Sequence, residues 1–95
     1  MVKKVAISHD ASKREFRASV GAADAGYLTY VRLEDGSLSV DHTVVWQEFE
    51  GNGIGRRLVE SAMAFAEREG VRVYATCSYA AHVIGGSRRA VTSDI

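Results

Sequence analysis

Apolar and polar positions alternate in short runs through the first half of the chain. Val2, Val5 and Ile7 mark a strand over Val2–Ser8, and the polar stretch His9–Lys13 reads as a turn. Phe16, Ala18 and Val20 alternate with polar neighbours and predict a second strand, Glu15–Val20. After the turn cluster Gly21–Asp24, a third strand over Ala25–Leu33 carries Tyr27, Leu28, Tyr30, Val31 and Leu33. Asp35-Gly36 between apolar runs is a hairpin signal, and a fourth strand, Leu38–Trp46, follows it. Four strands joined by short turns predict an antiparallel meander.

The period then changes from two to that of a helix. Ile54, Leu58, Ala62, Phe65 and Ala66 fall on one side, with Val59 and Met63 at its margin. Arg56, Arg57, Glu60, Glu67 and Arg68 fall on the other, and Gly70 stands where helices commonly stop. Val71–Cys77 alternates Val71, Val73 and Ala75 against Arg72, Tyr74 and Thr76, a fifth strand. Strand, helix and strand form a β-α-β unit, whose two strands should run parallel. Ser78 is placed to N-cap a short helix over Tyr79–Ile84, ended by Gly85-Gly86-Ser87. Arg88–Ile95 shows no apolar period, so 85–95 is expected to be a flexible tail. The expected fold class is α+β (mixed α/β): an N-terminal antiparallel meander, a β-α-β unit and a short C-terminal helix. The expected domain organisation is a single domain over 1–95.

Composition narrows the function. A chain of 95 residues with 46% hydrophobic and 25% charged residues has the make-up of one small soluble domain. Its formal net charge is zero, so no overall field recruits nucleic acid or an anionic membrane, and neither is an expected partner. No apolar run approaches membrane-spanning length and Met1–Asp10 lacks a signal-peptide pattern, which makes the cytoplasm the expected location. A single cysteine, Cys77, allows no internal disulfide and builds no metal site alone, so no metal is expected.

Glycine at every second position, Gly51, Gly53 and Gly55, lies between the fourth strand and the helix. Glycines let backbone N–H groups turn inward, here at a helix N-terminus, where unpaired donors and the dipole favour an anion. A phosphate or pyrophosphate is the expected ligand. A Walker loop requires a Lys-Ser/Thr end that is absent here. A dinucleotide fingerprint requires G-x-G-x-x-G and an acid closing the next strand; this chain has G-x-G-x-G and Thr76-Cys77-Ser78.

The stretch VVWQEFEGNGIGRRLVESAMAFAEREGVRVYATCSY resembles the signature region of the GNAT superfamily of N-acetyltransferases, and more closely its very small stand-alone members with Cys-x-Tyr/Phe after strand five. The resemblance covers roughly residues 27–84. Glu50-Gly51-Asn52-Gly53-Ile54-Gly55 matches the family's Q/R-x-x-G-x-G/A loop, with Glu50 where Gln or Arg is usual. The resemblance implies acetyl-CoA as the cofactor. Its pyrophosphate would lie on the amides of Gly51, Asn52, Gly53, Ile54, Gly55 and Arg56, with Arg56 and Arg57 near the phosphates. Its pantetheine arm would pair with the backbone of Val44 and Val45, and its thioester would enter a gap between strands four and five. The implied reaction is acetyl transfer to an amine acceptor; the alternative is a non-catalytic acyl-CoA-binding or protein-interaction module, since the acceptor-shaping elements of larger members are missing.

Three side chains near that gap are catalytic candidates. His42, expected on the side of Val44 and Trp46 with Asp41 and Thr43 opposite, could take a proton from an ammonium acceptor or a thiol. Cys77 could accept the acetyl group or only line the site. Tyr79 could protonate the departing thiolate or hydrogen-bond its sulfur, as the family resemblance implies, or pack under the last helix. His82 and the tail arginines Arg88 and Arg89 read as surface groups, Phe65 reads as core, and Trp46 and Phe49 flank the loop.

Overall fold

A computed structural model describes residues 4–85. Five strands form one sheet in the order β1-β2-β3-β4-β5: β1 Val5–Asp10, β2 Glu15–Val20, β3 Ala23–Arg32, β4 Leu38–Val45 and β5 Val73–Ala75. The first four pair antiparallel as a meander, and β5 joins β4 in parallel after the helix α1, Ile54–Glu69. A second helix, α2, spans Ser78–Gly85. The mixed α/β class expected from the hydrophobic pattern is the one observed.

Boundaries differ where side-chain pattern competes with pairing. The first strand runs through His9 to Asp10, because His9 pairs with Phe16 and packs inward instead of turning. The turn cluster shrinks to Gly21-Ala22, since Ala23 and Asp24 already pair with Val20 and Ser19. The fifth strand keeps only three residues, because its partner β4 bends away after Val40. A short 3₁₀ turn, Gln47–Phe49, follows β4, and no periodic signal announced it. The expected tail 85–95 loses its first residue to α2, which runs through Gly85; the rest of it, with Arg88 and Arg89, and the expected strand start at Val2 fall outside the described residues.

The core lies on one face of the sheet. Leu28, Leu38, Val40, Ile54, Leu58, Val59 and Ile84 are fully buried, each side chain worth roughly 1.5–3 kcal/mol relative to exposure. Val59 leaves the margin of the expected stripe for the core because α1 packs against both the sheet and α2, which widens its apolar arc. The opposite face carries Arg17, Tyr27, Thr29, Val31, His42 and Val44 in cross-strand register. There the Arg17 guanidinium lies 5.2 Å over Tyr27, Tyr27 meets Trp46 edge-on, and Asp24 accepts from both Trp46 Nε1 (2.8 Å) and Arg17 Nε (3.3 Å). No described helix is long and apolar enough to cross a membrane.

Candidate functional site: an amide-lined cleft between β4 and α1

The sheet opens at Val40. β4 and β5 pair only from Leu38↔Val73 to Val40↔Ala75. The Val40 carbonyl then accepts from two amides, those of Thr76 (2.9 Å) and Cys77 (3.2 Å), and the parallel ladder stops. On the other edge of β4 the register slips at the same place: Thr29 pairs with His42 but Tyr30 with Val40, leaving Asp41 as a bulged residue. The Thr29 hydroxyl and the Asp41 carboxylate meet at 2.7 Å. Thr29 lies on the outer face, so Asp41 shares the side of His42 and not, as strict alternation required, that of Thr43. The bulge adds one residue and shifts the phase. Past it, Asp41–Val45 has β3 along one edge and no strand along the other.

β4 then runs into the glycine loop. The 3₁₀ turn is closed by Glu50 N–H donating to Gln47 O (3.2 Å), and Asn52 Nδ2 donates to Phe49 O (2.9 Å). Gly51 (φ 86°) and Gly53 (φ 74°) hold left-handed conformations that side chains with a Cβ seldom adopt. Gly53 caps α1 without a side-chain bond, and no acidic residue stands in the first turn. The first amide of the helix with a backbone partner is that of Arg57, which donates to Gly53 O at 3.1 Å. Among the described residues the amides from Gly51 to Arg56 find no backbone acceptor. These are the orphan donors of a helix start, and four of the residues that carry them, Gly51, Gly53, Ile54 and Gly55, line one cleft.

That cleft has a volume of about 600 Å³ and is lined by Thr43, Val44, Val45, Phe49, Glu50, Gly51, Gly53, Ile54, Gly55 and Tyr79. Of the residues proposed from the sequence to hold a coenzyme, Val44, Val45, Gly51, Gly53, Ile54 and Gly55 line it. Asn52, Arg56 and Arg57 are exposed and do not; Arg56 Nη1 lies 3.4 Å from Glu60 Oε2. The three catalytic candidates separate. Tyr79, 43% exposed, lines the cleft. Cys77 is half-buried beside it, its thiol donating to Thr43 Oγ1 at 3.8 Å. His42 is exposed on the outer face opposite Thr29, and it is not among the lining residues. Thr43, Phe49 and Glu50 join the cleft without having been singled out as ligands. Glu50 carried a signal, its place at the start of the loop motif, whereas Thr43 had only its position one residue before Val44.

An unpaired β4 edge that runs into free helix-start amides across a gap in the sheet defines a class. The family model of the GCN5-related N-acetyl-transferases matches residues 15–92, and the chain belongs to that family. Among curated proteins, Protein NATD1 of Xenopus tropicalis is 30% identical over 76 residues, covering 79% of this chain and 70% of its own length. Protein NATD1 of Homo sapiens is 28% identical over 76 residues, covering 79% and 67%. In fold, the chain is similar to a GCN5-like protein from Staphylococcus aureus (TM-score 0.66, 23% identity, 84% of this chain and 78% of that one). It is also similar to a ribosomal-protein-alanine N-acetyltransferase from Brucella melitensis (TM-score 0.64, 19% identity), of whose length it spans 62% while 85% of this chain is covered.

Proposed function

We propose that this protein is a cytoplasmic enzyme that binds acetyl-CoA in the β4–α1 cleft and transfers the acetyl group to an amine. One observation carries the reading: Gly51, Gly53, Ile54 and Gly55, whose amides have no backbone acceptor, line the same cleft as Val44 and Val45 on the unpaired edge of β4. A pyrophosphate is the ligand that such donors suit, and an extended amide-bearing arm is what a free strand edge suits. The volume lies within the range of small-molecule sites. The coenzyme would supply a thioester whose carbonyl carbon an amine can attack.

The chain's own residues take separate parts. Gly51, Gly53, Ile54 and Gly55 hold the phosphates, with Asn52 and Arg56 contributing amides and Arg57 charge at the rim. Val44 and Val45 align the arm. Thr43 and Cys77 stand together at the gap, which is where the acyl end would come to lie. Tyr79, which lines the cleft from α2, would protonate the departing thiolate or hydrogen-bond its sulfur. His42 lies on the open outer face, where an acceptor reaching the gap from that side would meet it as a base.

Titration with acetyl-CoA followed by backbone amide NMR tests the reading. The largest shifts should fall on Val44, Val45 and 51–56. Gly53→Glu adds a carboxylate at a left-handed position among these amides, and should abolish binding while the spectrum stays dispersed. Shifts gathered elsewhere, or normal binding by Gly53→Glu, would refute the site. Incubation with acetyl-CoA and candidate amines should release free thiol. Binding without release by any amine would favour the non-catalytic module.

A further inference from the structure

Two of the three loop glycines are explained by backbone conformation; the third is not. Gly55 is the second residue of α1, in right-handed helix and buried, a place where alanine is ordinarily the better helix former. A Cβ at this position would lie 3.0 Å from Cε2, 3.0 Å from the hydroxyl oxygen and 3.1 Å from Cζ of Tyr79. Carbon contacts that short force something to move. α2 is pinned to the core by Ala80, Val83 and Ile84, none more than 3% exposed, so the helix cannot retreat cheaply. The yield would fall on the Tyr79 ring, which must give by a few tenths of an ångström.

We propose that Gly55 is the positioning residue for Tyr79. The missing methyl is the seat into which the phenol ring packs, and it holds the ring over the first turn of α1 as a wall of the coenzyme cleft. The ring is 43% exposed and stands in the first turn of α2. The functional half of this inference rests on the acetyl-CoA reading above; the packing half does not. The third glycine of the loop is therefore required by α2 and not by a phosphate.

A mutant cycle with Gly55→Ala, Tyr79→Ala and the double variant decides it. With Tyr79 present, Gly55→Ala should lower the melting temperature; in the Tyr79→Ala background the same change should raise it, because only helix propensity remains. In the Tyr79→Phe background Gly55→Ala should still lower it, since Cε2 and Cζ persist. In the wild type, a nuclear Overhauser contact between Gly55 Hα and the Tyr79 ring should be present. For acetyl transfer, Gly55→Ala should cut kcat at least about tenfold with KM for acetyl-CoA nearly unchanged, and the double variant should match Tyr79→Ala. A higher melting temperature for Gly55→Ala with Tyr79 intact, or independent effects in the double variant, would overturn the seat. Reversed melts with unchanged kcat would overturn the positioning role. If the wild type bound no acetyl-CoA, the melts and the ring contact alone would still support or overturn the packing.

Discussion

At the β1–β2 end of the molecule the side chains close on one another, whereas at the β4–α1 end the backbone is left open. His9 stacks on Phe16 with ring centroids 4.1 Å apart and planes 3° from parallel, and meets Phe65 edge-on at 4.4 Å. His9 Nε2 and the Tyr30 hydroxyl share a 2.7 Å hydrogen bond, so the two polar side chains of this aromatic cluster partner each other. Arg32 covers the cluster, 5.9 Å from the Phe65 centroid and paired with Glu69 at 2.9 Å. Across the sheet, the glycine loop leaves amides unpaired and β4 without a neighbour. Such donors weaken a fold unless water or a ligand meets them. The difference teaches a division of labour: the closed end supplies packing free energy, and the open end leaves backbone groups without a backbone partner.

Substitutions at the two ends should therefore fail in different assays. Phe16→Ala removes a ring 3% exposed and should cost roughly 3–5 kcal/mol in urea melts, while the folded fraction keeps the acetyl-CoA shift pattern. A cost below about 1 kcal/mol would show that the closed end carries no special weight. Acid should act at the same end. Burial holds the His9 pKa below 6.5, with Arg68 and Arg32 pushing the same way against Asp10 and Glu69. The unfolded chain then binds the proton more readily, so the contribution of His9 is full above pH 6.5 and falls as pH drops from there through the lowered value. His9→Gln keeps a partner for Tyr30 without titrating, and should flatten that slope in melts at stepped pH; an unchanged slope would assign it elsewhere.

Two smaller changes sharpen the contrast. Glu50 puts a carboxylate on the cleft where the family's loop usually has Gln or Arg. Glu50→Gln should tighten acetyl-CoA binding roughly 2- to 5-fold, less at high salt, with no change in the melt. Weaker binding would mean that Glu50 contacts the ligand favourably. Arg14, in the β1–β2 turn, holds φ 54° without being glycine. Arg14→Gly should relieve that strain and stabilise by about 0.5–1 kcal/mol, a rise of a few degrees in melting temperature, and leave acetyl-CoA affinity alone.

Much of the fold was legible because its elements are separated by local signals. Asp35-Gly36 marked a hairpin, Gly70 ended α1 in the left-handed conformation expected of a stop, and the change of period at Ile54 marked the helix. The glycine loop at the start of α1 was legible for the same local reason, with Gly51 and Gly53 in left-handed conformations. The bulge at Asp41 was not, since nothing in LSVDHTVV distinguishes a regular strand from one with an extra residue. His9 looked like a turn residue because a histidine followed by Asp-Ala-Ser-Lys is polar; its aromatic partners Phe16, Tyr30 and Phe65 come from three other elements.

By itself, then, the order of residues determined the strands, the helices, their sequence along the chain and the glycine conformations of the loop, since periodicity, turn residues and φ preferences act between near neighbours. Only the tertiary structure decided where β4 and β5 part, which face His42 takes, that Cys77 meets Thr43, and that Gly55 gives way to Tyr79. Each of these depends on contacts between residues far apart in the chain, and those exist only once the sheet and both helices are packed together.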